Sequence, residues 1–437
     1  MYNVFPIEER NKPTATLCNK GFSNDAIAAA SSKGMPGLRI VSENVPCECN
    51  VMEDIEAGVN AAMDDIVAAL TKPLTAEERS PKPKEVEKPP RIIFKGNLQE
   101  VNQFFYRRGW TDGLPIIPPT EEAVSEMLTG TDLPPNHSLG KLLPRLGKAT
   151  VEKIAINAVM AGALPTYMPL LIAGLHANMD SKAHGNDWGV STGSWAPFWI
   201  INGPIRNELH VNNGTGALSP GDIANAAIGR ALGMIIKNIR GLRKGVEDMG
   251  TLGNPMKYSL VVAENEEESP WEPLHVEQGF NKEDSTISLS FPHIYNQLGA
   301  YDTDDYGILN ALIYNPGTRS GLHTIMLIPA HARMLAENGW TKKDIKGYIS
   351  EYARVPLYKM RRGSVAFSTS RLPVNPLDSV SVIPDPDAIR IIVAGGGGNM
   401  IGILKGGPIY SSKGEEPEDM VTRKVELPAN WSTLVAK

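Results

Sequence analysis

The stretch "TATLCNKGFSNDAIAAASSKGMPGLRIVSENV" (residues 14–45) decides the fold class. Its pattern predicts a strand ending at Cys18, a helix of small residues over 23–33 and a second strand over 38–41. Downstream, "MEDIEAGVNAAMDDIVAAL" (52–70) has apolar residues at three-to-four-residue spacing, which predicts another helix. Strand, helix, strand, helix is the beginning of a parallel α/β layer.

This N-terminal layer has too few strands to form a complete parallel sheet. A strand that is buried on both faces needs hydrogen-bonded neighbours on both edges, and the segment contains about two strands. The sequence therefore predicts that another polypeptide supplies the missing strands.

Composition narrows the class of protein. The 437 residues carry a net charge of −6 with Lys and Arg scattered, which gives no nucleic-acid footprint. No run of 18 apolar residues is present, so no membrane span is expected, and the N-terminus lacks the apolar core of a signal peptide. Three cysteines in a chain of this length fit a reducing compartment, so we expect a cytoplasmic protein.

A linker divides the chain. Residues 75–92, "TAEERSPKPKEVEKPPRI", are rich in Pro, Glu and Lys and nearly devoid of apolar side chains. We therefore predict a partial α/β segment over 1–74, a linker over 75–93 and a large α/β or α+β region over 94–437.

The large region shows three strand patterns and one well-marked helix. The strands are "KYSLVVAEN" (257–265), "LHTIMLI" (322–328) and "AIRIIVAGG" (388–396). The helix begins in "SPGDIANAAIGRALGMIIKNI" (219–239), where Ser219 is the predicted N-cap. No repeat of fixed period is visible.

The densest polar cluster is "VVAENEEESPWEPLH" (261–275), at the end of a predicted strand. Ligands gather at the carboxyl ends of strands in open α/β sheets, and carboxylates beside apolar groups can hold a raised pKa. We assign Glu264 and Glu267 to proton transfer, with His275 as the residue that orients them or acts as their partner. Asn265 and Trp271 are candidate substrate contacts. The alternative is a solvated acidic turn.

A second polar stretch covers residues 184–221 and is rich in Gly, Asn, Ser, Thr and Trp. Long structured loops are often functional, and this one leads to a helix N-terminus, which favours an anion. Asn202, Arg206 and Asn213 are candidate substrate contacts. The alternative is a surface loop with aromatic anchors.

The remaining signals are weaker. Cys18, near a helix N-terminus, is a candidate reactive thiol, against the alternative of a structural cysteine. His323 is a candidate substrate contact, and its convergence with His331 on a metal is disfavoured because the eight histidines are dispersed. Cys47 and Cys49 form a C-x-C without a second pair, so no metal site is predicted. The glycine run 395–398 fits neither G-x-G-x-x-G nor the P-loop pattern, so no cofactor is evident.

Several strings of the large region, in order, are similar to the C-terminal region of the UGSC family, whose proteins are named for a selenocysteine (or cysteine)-Gly-Ser-Cys motif. The similarity covers roughly residues 94–410. The strings are "TDGLPIIPPTEEAV" (111–124), "INGPIRNEL" (201–209), "SPGDIANAAIGRAL" (219–232), "AENEEESPWEPLH" (263–275), "NGWTKKDI" (338–345) and "IVAGGGGN" (392–399).

Residues 13–70 also resemble part of that family's N-terminal α/β domain, the part that follows the named motif. The Cys-Gly-Ser-Cys motif itself occurs nowhere in this sequence, and Cys18-Asn19 stands where the family pattern has Cys-Thr. The resemblance implies a split enzyme, in which a small partner subunit supplies the missing strands and the selenol or thiol.

Such an enzyme would carry out thiol- or selenol-dependent reductive or C–X bond-cleaving chemistry on a small molecule, in a hetero- or homo-oligomer. Two alternatives stay open: a lyase or hydrolase that uses the cluster over 264–275 without redox chemistry, and a non-catalytic assembly subunit.

Overall fold

A computed structural model describes the protein over residues 4–32, 34–44, 52–79, 90–185, 189–302, 304–315, 321–356, 358, 377–406 and 420–436. Cys47, Cys49 and most of the predicted linker lie outside these residues. No described helix has the length and apolar character that a membrane crossing requires.

The N-terminal layer alternates helices and strands as the sequence predicts, with the long apolar pattern over 52–70 divided into two helices. Its elements are α1 (Phe5–Glu8), β1 (Thr16–Asn19), α2 (Ser23–Ser32), β2 (Ile40–Glu43), α3 (Met52–Ala61), α4 (Met63–Thr71) and α5 (Ala76–Arg79).

Strands β1 and β2 are parallel, with Leu17 opposite Val41, and no third strand pairs with either of them within the described residues. Their small core consists of two clusters. Phe5, Ala30 and Leu38 are buried together in one, and Val41 packs with Ala62 and Ala69 of the α4 side in the other. The prediction of a two-stranded parallel α/β layer is confirmed.

The large region mixes helices with two four-stranded sheets, which confirms the predicted α/β class. Its elements are α6 (Leu98–Arg107), α7 (Glu121–Met127), β3 (Ser138–Leu142), β4 (Gly147–Thr150), α8 (Val151–Ala161), α9 (Met168–Met179), β5 (Phe198–Asn202), α10 (Ile205–Glu208), α11 (Ile223–Arg240), β6 (Val261–Ala263), α12 (Leu274–Glu277), β7 (Thr286–Ser290), β8 (Pro292–Gly299), α13 (Asp305–Tyr314), β9 (Leu322–Leu327), α14 (Pro329–Glu337), α15 (Lys342–Tyr352), β10 (Arg354–Pro356), β11 (Ser379–Ser381), β12 (Ile389–Val393), β13 (Met400–Gly406), β14 (Val421–Lys424) and α16 (Trp431–Val435).

The two four-stranded sheets have the same pattern of strand directions. The first has the order β6-β5-β7-β14 and the second β12-β9-β13-β8. In each, the first two strands are parallel and the next two pairings are antiparallel. We call the first sheet with its helices the first half, and the second sheet with its helices the second half.

The halves stack as helices, sheet, sheet and helices. Alternation along β5 sends Trp199 and Ile201 into a core with α8, α9 and α11, and sends Phe198 and Ile200 into the seam between the sheets. Strand β9 alternates in the same way, since Ile325 packs on the α13–α15 layer and Leu322 and Met326 face the seam. The inner strands β5 and β9 are therefore buried on both faces.

The halves also exchange their outermost strands. Strand β8 follows β7 across the single residue Phe291, but it pairs with β13 in the second sheet. Strand β14 comes after β13 in the chain, but it pairs with β7 in the first sheet. Neither sheet is complete without a strand from the other half.

Some local expectations were wrong. Residues 198–202 were expected to lie in a long loop, but they form β5, an entirely buried inner strand of the first sheet. Ser219 was expected to be the N-cap of α11, but the helix begins at Ile223 with Asp222 as its N-cap residue, and the Asp222 carboxylate accepts from Asn212 Nδ2 (2.8 Å).

Candidate functional site

The register of the first sheet brings Asn202 and Glu264 together. Strands β5 and β6 pair Ile201 with Ala263, and the Glu264 amide donates to the Ile201 carbonyl (3.1 Å). The next residues along, Asn202 and Glu264, therefore lie side by side at the carboxyl ends of the parallel strands. Because Ile200 and Val262 face the seam, the alternation points Asn202 and Glu264 to the same side.

Around this pair lies a set of interacting polar side chains, which we call the Glu264 cluster. Its members come from β5 and α10, from the segment after β6, and from the start of α15. They are Asn202, Arg206, Glu264, Glu266, Glu267, His275 and Lys342.

Glu264 is the most buried acid of the cluster, with no exposed surface. Its Oε2 accepts from Asn202 Nδ2 (2.7 Å) and from the Leu274 amide (2.8 Å), and its Oε1 lies 3.7 Å from Lys342 Nζ. Complete burial raises the pKa of Glu264 above its ordinary value, although Lys342 and the two donors oppose that shift. Burial therefore favours the protonated form of Glu264.

Glu267 has the opposite character. Arg206 binds its carboxylate with two hydrogen bonds of 2.8 and 2.7 Å, and Asn207 Nδ2 adds a third of 2.9 Å. The Arg206 guanidinium lowers the pKa of Glu267 to about 2. Glu267 thus stays ionised at neutral pH, which disfavours the proton-transfer role assigned to it from the sequence and favours a positioning role.

Arg206 holds two acids at once. Its side chain is buried, and its Nε lies 3.2 Å from Glu266 Oε1 in addition to the pairing with Glu267. Burial works against the charged guanidinium, but the two carboxylates prevail and raise the pKa of Arg206. The structure therefore places this candidate substrate contact in an internal ion-pair network.

Glu266 links the network to the strand ends. Its Oε1 accepts from the Gly203 amide (2.7 Å) and from Asn202 Nδ2 (3.1 Å). His275 is fully buried beside it, with Nδ1 4.0 Å from Glu266 Oε1, which is beyond hydrogen-bond distance. His275 Nδ1 has no hydrogen-bond partner among the described residues. The acid of the cluster that His275 approaches is Glu266.

Lys342 joins the cluster from the second half. It is the first residue of α15, and its Nζ donates to the Glu272 carbonyl (2.7 Å) and the Glu277 carboxylate (3.3 Å) besides facing Glu264. Sequence reasoning missed it. The available signal was a lysine at a helix N-terminus, the end that the helix dipole makes unfavourable for a cation.

The other candidates lie around the cluster in different roles. The Asn265 amide donates to the Val393 carbonyl (2.7 Å), and its side chain donates to Glu268 (2.8 Å), so it ties the ends of β6 and β12 together. Trp271 Nε1 donates to the Trp340 carbonyl (3.0 Å). The Asn213 carbonyl accepts from the Gly395 amide (2.8 Å), while its side chain is half-buried.

Two candidates lie on other parts of the molecule. His323 is buried near the start of β9, at the opposite end of that strand from its carboxyl-end loop, and its Nδ1 is 2.6 Å from the Gly321 carbonyl. Cys18 lies on β1 of the N-terminal layer, and its half-buried thiol donates to the Asn19 carbonyl (3.4 Å). Across the described ranges, no group of three or more His, Cys, Asp or Glu side chains is arranged to hold a metal ion.

Comparison with known proteins adds one finding. Residues 5–72 match the model of the UGSC family, so the resemblance expected for the N-terminal layer is confirmed over that range. The match ends before the large region, where the likeness of the strings quoted above remains a prediction. Comparisons with curated proteins and with solved structures gave no match.

Proposed function

We propose that this chain is the large subunit of a split UGSC-type enzyme, in which a small second polypeptide completes the N-terminal layer and supplies the selenol or thiol motif. The observation that carries the proposal is the two-stranded sheet of β1 and β2, which has no further strand within the described residues. Open parallel edges of this kind are covered in stable α/β layers.

The distribution of exposed apolar side chains supports a partner beside β1. Leu17 lies on the same face as Val41, yet Val41 is buried by the α4 side and Leu17 is 42% exposed. On α4, Met63, Val67 and Leu70 form a second apolar stripe at positions i, i+4 and i+7, and all three are exposed. A strand and helix added beside β1 would cover both.

The Glu264 cluster supports a role in proton transfer. In the proposed reaction a neutral Glu264 donates its proton to the group that leaves a small-molecule substrate, and it ends as a carboxylate facing Lys342. When the subunits are assembled, the partner's selenolate or thiolate would attack the substrate carbon and form a C–Se or C–S bond as the C–X bond breaks, and X would leave with the proton from Glu264. Such chemistry fits a reducing, cytoplasmic setting.

The same acid also supports the second candidate, a lyase or hydrolase without redox chemistry, since a buried carboxyl with a raised pKa serves as a general acid in either case. Alkylating the partner's thiol separates the two. Activity that survives alkylation but is lost in Glu264→Gln would favour the lyase or hydrolase.

Coexpression tests the partner. The tagged chain is produced with the small polypeptide encoded next to it, and the complex is measured by size-exclusion chromatography with light scattering. We expect a 1:1 or higher complex that is lost in the double variant Leu17→Glu, Val67→Glu. The matched control is Leu252→Glu, because Leu252 is 97% exposed in the large region and should leave the complex intact.

Hydrogen exchange of the chain without a partner tests whether its N-terminal sheet is stable by itself. We expect the amides of β1 and β2 to exchange rapidly without the partner and slowly with it. A folded monomer whose β1 and β2 amides are already protected, and which takes up no second polypeptide, would overturn the proposal.

A further inference from the structure

The second half has its own loop at the position where the first half carries the Glu264 cluster. It is the glycine loop, Gly395–Gly398, which follows the carboxyl end of β12. A Cβ on Gly395 would lie 3.1 Å from Ile328 Cγ2, and Ile328 is the N-cap residue of α14. The glycine loop therefore lies against the N-terminus of α14, at the carboxyl ends of the parallel strands β9 and β12.

Several backbone donors at this place lack acceptors. Helix α14 begins with Pro329 and has no side-chain cap. Within the described residues, no hydrogen bond is recorded for the amides of Ala330, His331, Gly397 or Gly398. Gly397 and Gly398 are exposed, and a Cβ on either would meet only open space. Free N–H groups at a helix N-terminus favour an anion.

A buried side chain gives the second observation. His331 stands in the first turn of α14 and is 7% exposed, and its Nε2 lies 3.1 Å from Oδ1 of Asn399, the residue after the glycine loop. Its ring thus reaches from the first turn of α14 to the residue that follows the glycine loop. Its Nδ1 has no partner among the described residues, and an unpaired buried polar atom is costly without a ligand or water.

We propose that the N-terminus of α14, the glycine loop and His331 form a binding site for the oxyanion group of a small ligand, a carboxylate or a phosphate. The amides of Ala330, His331, Gly397 and Gly398 would donate to the oxygens. His331 would take up a proton when the anion binds and donate through the ring nitrogen that is now unpaired.

The position of this site suggests where a substrate of the proposed enzyme would bind relative to the Glu264 cluster. The ends of β6 and β12 are joined by the Asn265–Val393 hydrogen bond (2.7 Å), and Arg333 of α14 lies 3.9 Å from Glu268. A ligand whose oxyanion is held at the glycine loop would therefore lie next to the Glu264 cluster. This link rests on the proposed function, whereas the anion site itself does not depend on any partner subunit.

Titration of the full-length chain tests the site. The protein is labelled with ¹⁵N-glycine, and sodium acetate and inorganic phosphate are added in separate titrations, with sodium chloride at matched ionic strength as the reference. We expect saturable shifts of the Gly397 and Gly398 amide resonances with at least one oxyanion and no saturable shift with chloride. Acetate alone would indicate a carboxylate, and phosphate alone a phosphate.

A pair of variants makes the result specific. Gly397→Asp places a carboxylate beside the free amides and should weaken oxyanion binding at least tenfold. It should fold, since Gly397 has no positive φ and a Cβ there has open space. The control Gly347→Asp makes the same change on α15, also in open space, and should leave binding within twofold.

Two results would overturn the inference. One is the absence of a saturable shift with either oxyanion in the unmodified chain. The other is saturable binding that Gly397→Asp leaves unchanged, because the anion would then sit elsewhere. Neither depends on whether a partner subunit is found.

Discussion

The two halves of the large region share one plan of strands and differ at the ends of those strands. In the first half, β5 ends in Asn202 and β6 is followed by Glu264, and both side chains face the seam, where the Glu264 carboxyl is buried. In the second half, β9 is followed by Ile328 and β12 by Ala394, which are apolar and buried, and the glycine loop comes directly after Ala394. The segments that follow the equivalent strands thus differ: the first half has a buried acid there, and the second half has the backbone amides of the glycine loop.

This difference separates the part of the structure that the two halves share from the part in which they differ. The strand pattern and the shared seam give each half the same support, and the residues just beyond the strands give the two halves different polar groups. We therefore expect substitutions in the seam to affect both halves alike, and substitutions at the strand ends to affect one.

The seam should give the largest effect. Ile200→Ala on β5 and Ile392→Ala on β12 each remove a fully buried side chain from the seam, and each should lower the free energy of unfolding by about 2–5 kcal/mol. Because the halves exchange strands, each variant should lower the same thermal transition of the large region. Calorimetry and hydrogen exchange measure this, with Leu252→Ala as an exposed control.

Two separate transitions, one shifted by each variant, would break the comparison, since the halves would then unfold independently.

Lys342 is the contact through which the second half supports the acid of the first. Lys342→Ala should cost about 2–3 kcal/mol in chemical denaturation, because the Glu272 carbonyl and Glu264 lose a buried partner. The adjacent Lys343 is exposed, so Lys343→Ala should change the stability by less than about 0.5 kcal/mol. Equal losses in the two variants would contradict the role given to Lys342.

Glu264 should make stability depend on pH. Its folded-state pKa is raised, so the folded protein keeps a proton that the unfolded chain releases above pH 4.5. Stability from this group therefore falls as pH rises from 4.5 through the raised pKa, with a slope of at most about 1.4 kcal/mol per pH unit. Glu264→Gln should remove that slope in denaturant titrations. A slope identical to that of the unmodified protein would exclude a raised pKa.

Glu267 should act in the opposite direction and more weakly. Its folded-state pKa of about 2 lies below 4.5, so its contribution is present above pH 4.5 and is lost as pH falls toward 2. Its side chain is 55% exposed, so solvent screening limits the effect to about 1 kcal/mol or less. Glu267→Gln should flatten the acid limb of the pH–stability curve, and the comparison with Glu264→Gln distinguishes the ionised acid from the protonated one.

Local sequence signals predicted the elements whose determinants are local. The apolar periodicity gave β1, α2 and β2 nearly to the residue, and the start of α15 is likewise set locally, by the capping box of Thr341 and Asp344. The cluster after β6 was found because strand and acids adjoin in the sequence.

What the sequence did not reveal depends on contacts between distant segments. The strand β5 was hidden because its neighbours are Gly, Asn and Trp, and because its burial comes from helices and a second sheet. Lys342 contacts Glu264 although the two residues are 78 positions apart in the sequence (342 − 264). The duplicate strand plan leaves no repeat in the sequence, since the loops between equivalent strands differ in length and chemistry.

The exchanged strands determine what happens when the large region is produced as two separate fragments. Severing the chain within the connection from β8 to α13 would leave the N-terminal fragment carrying a strand of the second sheet and lacking β14 of its own. Each fragment would be insoluble alone, but the two would reconstitute when produced together, because each brings the strand that the other requires. The large region thus needs both of its pieces, even though the two share one strand plan.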